Sequence, residues 1–332
     1  MKKQFVTLVF ILCTPFFLYA CSTSGKEKVS QQQPTDETQA LSAEVAKVYF
    51  TREISSESLV RMYEALERPA TGKVAVKLSM GEPGGNNYLK PELIKDLVKQ
   101  VNGTFIDANT AYGGRRASTE AHMQTAIDHG FTAIGPVDIL DAEGEITLPV
   151  VGGKYITEDI VGANYANYDF TLVLSHFKGH AMAGFGGAIK NISIGIASAN
   201  GKRLIHSGGT STTSWGNPSQ EQFLETMSEA AKAVADYCGE NIIYISVMNN
   251  LSVDCDCDSN PANPEMGDIG ILASLDPVAL DKACVDQVYA STDHGRIHLI
   301  ERMESKNGIR AIEYAEEIGM GSQQYELIDL DN

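Results

Sequence analysis

Between positions 178 and 206 the sequence gathers Lys178, His180, Lys190 and His206, with Gly179, Gly184, Gly186 and Gly187 interleaved. Imidazoles exchange protons and bind metals, primary amines hold anions or attack carbonyl carbons, and glycine lets the backbone pass close to a ligand. The run Phe170-Thr-Leu-Val-Leu-Ser175 before them reads as a buried parallel strand, and a helix-like segment follows. Ligands of open α/β sheets bind at such carboxyl ends of strands, so this stretch is the first candidate site. His176 lies four residues before His180 without the glutamate of an HExxH motif, which argues against a zinc protease.

A second concentration of chemistry is Asp254-Cys-Asp-Cys-Asp258. A bridge between cysteines one residue apart is disfavoured, so Cys255 and Cys257 are each expected to find another partner, Cys238 or Cys284 among them, or a metal. Disulfide, free-thiol, metal and iron–sulfur roles all remain open at this point.

The elements that must position these groups alternate along the chain. Helix patterns with hydroxyl or proline starts fall at 55–66, 91–100 and 118–130, a long amphipathic helix at 220–237, a capped helix at 276–284 and one or two helices over 296–317. Apolar strand patterns fall at 73–78, 104–107, 146–151, 170–175, 241–247, 268–273 and 325–330. Strands alternating with helices predict an α/β fold, a mostly parallel sheet with helices on both faces, in one unit or in two lobes around a cleft. Loops at Gly84-Gly85, Asn109–Arg116, His180–Lys190 and Cys255 follow predicted strands, and in a single parallel sheet they share one edge.

The amino terminus carries Lys2 and Lys3, an apolar run from Phe5 to Phe17, and Leu18-Tyr19-Ala20 before Cys21. That order is the pattern of a signal peptide over 1–20, and Leu-Tyr-Ala-Cys resembles a bacterial lipobox, which implies lipidation at Cys21. Residues 21–50 then read as a lipid anchor and flexible linker, and 51–332 as the α/β domain. The expectation is an exported protein tethered to a bacterial membrane, facing away from the cytoplasm. The chain has 43 acidic against 26 basic residues, a net charge of −17. A nucleic-acid binder needs a positive field, so DNA and RNA are excluded as the expected partners.

Lys178-Gly-His180, Gly184, Gly187, Ala188-Ile-Lys-Asn191, Cys255-Asp-Cys257 and the block Asp268 to Asp281 resemble the domain-of-unknown-function family numbered 362, over about residues 73 to 290. Members of that family often sit in iron–sulfur proteins beside a ferredoxin-type module. Here no run of Cys-x-x-Cys motifs is present, so a cluster would have to use the scattered cysteines. In residue type and spacing, His180, Lys190 and His206 are also similar to the histidine, cofactor-anchoring lysine and metal-binding histidine of nickel-pincer lactate racemases. That resemblance implies a lactate-racemase-like fold, His180 as general base, Lys190 as catalytic tether of a cofactor, and His206 as metal ligand; Cys255 and Cys257 are further metal-ligand candidates on their own chemistry. It further implies that Arg115 or Arg116, with Thr110, holds a phosphate or a substrate carboxylate, and Lys178, Gly184 and Gly187 of the glycine-rich stretch are expected to bind the cofactor beside Lys190. The expected function is a metal- or metal-cofactor-dependent isomerase or oxidoreductase acting on a small anionic organic molecule. The alternative is a non-catalytic lipoprotein that binds a metal, iron–sulfur cluster or small ligand and serves a redox partner protein.

Overall fold

The computed structural model describes residues 45–258 and 260–332. The leader over 1–20, Cys21 and the linker up to residue 44 lie outside them. In chain order the elements are β1 (Ala46–Thr51), α1 (Ser56–Ala65), β2 (Val74–Lys77), α2 (Pro91–Gln100), β3 (Thr104–Asp107), α3 (Thr119–Asp128), β4 (Val137–Ile139), β5 (Glu145–Pro149) and β6 (Glu158–Gly162). They continue with β7 (Phe170–His176), β8 (Lys178–His180), β9 (Gly184–Gly186), α4 (Ala188–Ser193), α5 (Ala199–His206), α6 (Gln220–Cys238) and β10 (Ile242–Met248). The last are β11 (Gly270–Ser274), α7 (Pro277–Ala290), α8 (Arg296–Ser305), α9 (Ile309–Glu317) and β12 (Tyr325–Asp329).

Eight strands form one sheet in the order β12-β1-β11-β10-β7-β2-β3-β4. Strands β10, β7, β2, β3 and β4 are parallel to one another, β12 is parallel to β1, and β11 is antiparallel to both β1 and β10. This is the α/β, mostly parallel arrangement that the alternating pattern predicts. All seven residues of β10 are buried, as a strand covered on both faces requires. Alternate side chains serve different cores: Leu172, Leu174, Ile243 and Ile245 pack with Leu59 of α1 and Ile94 and Leu97 of α2. Val173, Ile242 and Tyr244 pack with Ile189 of α4, Leu224 of α6, Val278 of α7 and Ile312 of α9. Helices therefore cover both faces.

One alternative is resolved and one boundary corrected. Of the two arrangements left open, the described residues from 45 onward take the first, one compact unit built on the eight-stranded sheet. The linker expected to reach residue 50 ends earlier, because Ala46–Thr51 is a strand hydrogen-bonded between β11 and β12, with Val48 and Phe50 buried. The expected glycine loop after β7 is in part the hairpin β8–β9, paired from Lys178↔Gly186 to His180↔Gly184.

Local chemistry sets the helix starts. Ser55, Ser118, Ser198, Ser219 and Asp276 each accept a backbone N–H in the first turn of α1, α3, α5, α6 and α7, which satisfies groups that the helix itself leaves unpaired. Pro91 and Pro277 occupy the opening turns of α2 and α7, where their missing N–H costs nothing.

Asp159 of β6 is fully buried, and its Oδ2 has no hydrogen-bond partner. Burial pushes its carboxyl up to about 7, against the opposing pull of the Ile160 N–H and Lys202. The folded chain thus keeps a proton that the unfolded chain releases near pH 4, and stability falls as pH rises from about 4 to about 7, by up to ~1.4 kcal/mol per unit. In urea titrations Asp159→Asn is expected to gain on the parent progressively over that range and then level off; a constant offset between pH 4 and 8 would contradict a protonated Asp159.

Candidate functional site

The carboxyl ends of β2, β3, β7 and β10 lie side by side, so the loops after them share one edge of the sheet. A cavity of about 490 Å³ opens there. Lys77, Asp107, Thr110, Arg116, His180, Lys190, Lys202 and His206 line it, and Tyr112, Met182, Ile194 and Trp215 supply apolar wall. Its size falls in the range of pockets that enclose small organic ligands.

Two buried carboxylates frame its floor. Lys77, the last residue of β2 and 1% exposed, donates to the Leu78 carbonyl at 2.9 Å and to Asn191 Oδ1 at 3.0 Å, and pairs with Asp107 Oδ1 at 3.2 Å. Arg116 donates through Nε to Glu82 at 3.0 Å and lies 3.5 Å from Asp107. Burial works against the charge of Asp107, yet Lys77, then His122 and Arg116, hold its carboxyl well below the usual carboxylate range. Asn191 completes the frame by donating to the carbonyls of Lys77 and Leu174 and to Ser175 Oγ, which fixes α4 on β2 and β7.

The side-chain amine of Lys190, one position before Asn191 on α4, has no hydrogen-bond or ion-pair partner among the described residues. Burial, and then the nearby charge of Lys77, lower its amine to about 8, with Asp256 and Asp107 opposing. Lys202 of α5 donates to the Ala197 carbonyl at 2.6 Å and is lowered to about 8, first by burial. Four basic side chains, Lys77, Arg116, Lys190 and Lys202, therefore line the cavity with one carboxylate, Asp107, while Glu82 pairs with Arg116, in a chain whose net charge is −17.

The two imidazoles offer a ligand opposite hydrogen-bonding roles. His206 Nδ1 lies 2.7 Å from the Lys202 carbonyl, which can only accept, so Nδ1 carries the proton and Nε2 keeps its lone pair. The ring stacks on Phe223 and meets Trp215 edge-on, and burial lowers its pKa to about 4. His180 Nδ1 accepts the backbone N–H groups of Met182 at 3.1 Å and Ala183 at 2.9 Å. Its neutral ring must then carry the proton on Nε2 and act as a donor. Burial, with Lys190 and His206 nearby, drives its pKa well below the ordinary histidine value. The general-base role expected for His180 is corrected on this ground: its free lone pair is already spent on the 181–183 turn.

The remaining expected residues divide. Thr110 and Arg116 line the cavity, and the Thr110 N–H donates to the Arg116 carbonyl at 3.0 Å. Arg115 does not line it; its side chain is 63% exposed and lies 3.9 Å from Asp128. Lys178 is buried off the cavity, donating to the Asn87 carbonyl at 2.8 Å and pairing with Asp256, so its amine is already occupied. Gly184 (φ +82) packs against the corner between α8 and α9, where a Cβ would sit 3.0 Å from Gly308 Cα. Gly187 makes room for the Asp281 carboxylate, which accepts the Ala188 and Ile189 N–H groups at 2.7 and 3.0 Å and so anchors the start of α4. Both glycines have packing roles here. Cys255 and Cys257 are bonded to each other as a disulfide, which corrects their expected metal or iron–sulfur ligation in this state. The turn around Asp256, closed by Asp258 N–H on the Cys255 carbonyl, brings their Cα atoms to 5.3 Å, within reach of a bridge. His206 lies outside that cluster; a ring nitrogen of His180 and the two sulfurs are the group within 4.8 Å of one another.

An α/β sheet with a cationic cavity at its carboxyl edge defines the class of protein. The profile described as Domain of unknown function (DUF362) matches residues 74–286, and the chain belongs to that family. Among solved structures it is similar to the lactate racemase apoprotein from Thermoanaerobacterium thermosaccharolyticum at 17% identity, over 60% of this chain and 50% of that one, with a TM-score of 0.37. It is also similar to a protein from Thermotoga maritima at 13% identity, over 70% of this chain and 58% of that one, with a TM-score of 0.39. The chain thus spans about half the length of these structures, and similarity at this level says nothing about its chemistry. No curated protein matches.

Gly187→Ala forces the Asp281 carboxylate away from two N–H groups, and ~1–3 kcal/mol of stability should be lost in chemical denaturation. Gly113, around which a Cβ would meet nothing within 4 Å, supplies the control. Equal effects of Gly187→Ala and Gly113→Ala would refute the anchoring role of Asp281.

Proposed function

We propose that this chain is an enzyme acting on a small organic anion, a hydroxy or oxo acid, by isomerisation or redox chemistry at the carbon bearing the oxygen. The observation that carries this reading is the amine of Lys190, lodged at the wall of an excess-cationic cavity with no partner of its own. A buried ammonium without a counter-ion is costly, and an anionic ligand relieves that cost. An amine that titrates near 8 is also matched to proton exchange, or to attack on a carbonyl, at physiological pH. In this reading Lys190 and Lys202 hold the carboxylate, His180 Nε2–H donates to a substrate oxygen, and His206 Nε2 accepts.

A metal or metal-bearing cofactor fits part of the site. His206 has Nδ1 held by a backbone carbonyl and Nε2 open, the arrangement that orients a metal-ligating histidine, and Lys190 is free to bind or tether. Such a group would supply Lewis-acid or electron-accepting chemistry. The second reading, non-catalytic capture of the anion, draws on the commitment of His180 Nδ1 to backbone donors.

Calorimetric titration with oxalate, lactate and malate tests the anion site. Binding is expected for the parent and should weaken about 10- to 100-fold in Lys190→Ala, the range for losing a hydrogen bond to a charged group. The sign with pH follows from a cation lost on deprotonation: affinity should hold below about pH 8 and fall above it as Lys190 and Lys202 lose charge. No binding, or unchanged binding in Lys190→Ala, would dismiss the reading; binding without turnover of any acid tested would select capture.

The lipobox-like leader extends the proposal to location: the domain is tethered at Cys21 outside the cytoplasm. Full-length Cys21→Ser is expected to leave the membrane fraction for the soluble one; unchanged partitioning would rule out that anchor.

A further inference from the structure

Cys255 and Cys257 are half-buried at the rim of the cavity: Cys257 lines it, and both sulfurs line two smaller crevices beside it. A bridge that closes so short a loop removes little freedom from the unfolded chain, so it contributes the least stability a disulfide can. The turn does not depend on it either. Asp254 accepts from Arg302 at 3.0 Å and from the Ala262 N–H at 3.0 Å, Arg302 also donates to the Val253 carbonyl at 2.7 Å, and Asp256 is held by Lys178 and lies 3.2 Å from His176. Ion pairs on both sides hold this segment through contacts that do not involve the sulfurs.

The surroundings distinguish the two sulfurs. The Cys257 N–H donates to Cys255 Sγ at 3.2 Å, an interaction that strengthens as that sulfur becomes a thiolate. Cys257 is the sulfur on the wall of the large cavity, and a ring nitrogen of His180 lies within 4.8 Å of both. The other cysteines among the described residues do not compete: Cys284 is buried in the core, and Cys238 lies beside Tyr165 and Thr171.

We propose that Cys255 and Cys257 form a reversible dithiol–disulfide couple that exchanges with external thiols, entered at Cys257 and released at Cys255. A partner thiolate attacks Cys257 Sγ; the S–S bond breaks, its electron pair leaves on Cys255 Sγ, and that sulfur takes a proton. A second partner thiol displaces the mixed disulfide from Cys257, which takes the second proton. Two electrons and two protons pass to the pair, and two partner thiols become one disulfide. Run backwards, the reduced pair delivers the same two electrons to a partner disulfide.

The test uses the full chain under anaerobic conditions with excess reduced glutathione in one arm and a reduced Cys-x-x-Cys protein in the other, followed by alkylation and peptide mass analysis. At least one arm is expected to yield two adducts, on Cys255 and Cys257, with circular dichroism unchanged, and oxidised glutathione should restore the bridge. Reaction with the protein alone identifies a protein dithiol as the partner; reaction with glutathione alone identifies a small thiol. Cys255→Ser treated with oxidised glutathione should gain one glutathionyl group on Cys257, whereas Cys257→Ser should gain far less on Cys255. A bridge resistant to both reductants in the folded chain, reduction only with loss of structure, or equal glutathionylation of the two variants would overturn the proposal.

Discussion

The structure turns on the pairing of Lys77 with Asp107 at the buried carboxyl edge of the sheet. Each charge alone would be expensive where neither meets bulk water, and together they are affordable only because Asn191, the Leu78 carbonyl, Arg116 and His122 complete their surroundings. That network sets the spacing between β2 and β3 at their ends and ties α4 to both β2 and β7. Lys190 follows from it: with Asn191 fixed on the strands, the preceding residue of α4 lines the cavity, while Asp281 pins the start of the same helix through two N–H groups.

This arrangement accounts for how a strongly acidic chain holds a positive cavity. The carboxylates in reach are spent on Lys77 and Arg116, so the unbalanced charge falls on Lys190 and Lys202, and of these only Lys202 has a hydrogen-bond acceptor, the Ala197 carbonyl. The imidazoles complete the polarity of the site through backbone contacts alone. A carbonyl fixes the His206 proton on Nδ1, and two N–H groups fix the His180 lone pair there, so one ring offers a lone pair and the other a proton.

Much of this was legible in the sequence. Strands such as Phe170–His176 and Ile242–Met248 announce themselves as short apolar runs, and the hydroxyl and proline helix starts fall where the side chains indicate. The gathering of His180, Lys190 and His206 follows from glycines at a strand end, because adjacent parallel strands bring their loops to one edge. Other features were not. Lys77 reads as an ordinary strand residue, although a lysine closing an otherwise apolar buried strand is a signal for a paired charge. Ala46–Thr51 abuts a polar tract and joins the sheet only through partners more than two hundred residues away. Nothing in Arg115-Arg116 tells which guanidinium turns inward. For Cys255 and Cys257, the turn at Asp256 that lets them meet is a tertiary product of Lys178, His176 and Arg302.

The central claim is that Lys190 is an unpartnered amine held at a buried anion site, and its ionisation can be read directly from the Nζ signals of lysine-labelled protein titrated with alkali. Two lysines are expected to titrate near 8, one of them lost in Lys190→Ala and raised when oxalate binds, against about 10.4 for exposed lysines. A Lys190 signal that titrates with the exposed lysines and ignores oxalate would contradict the account.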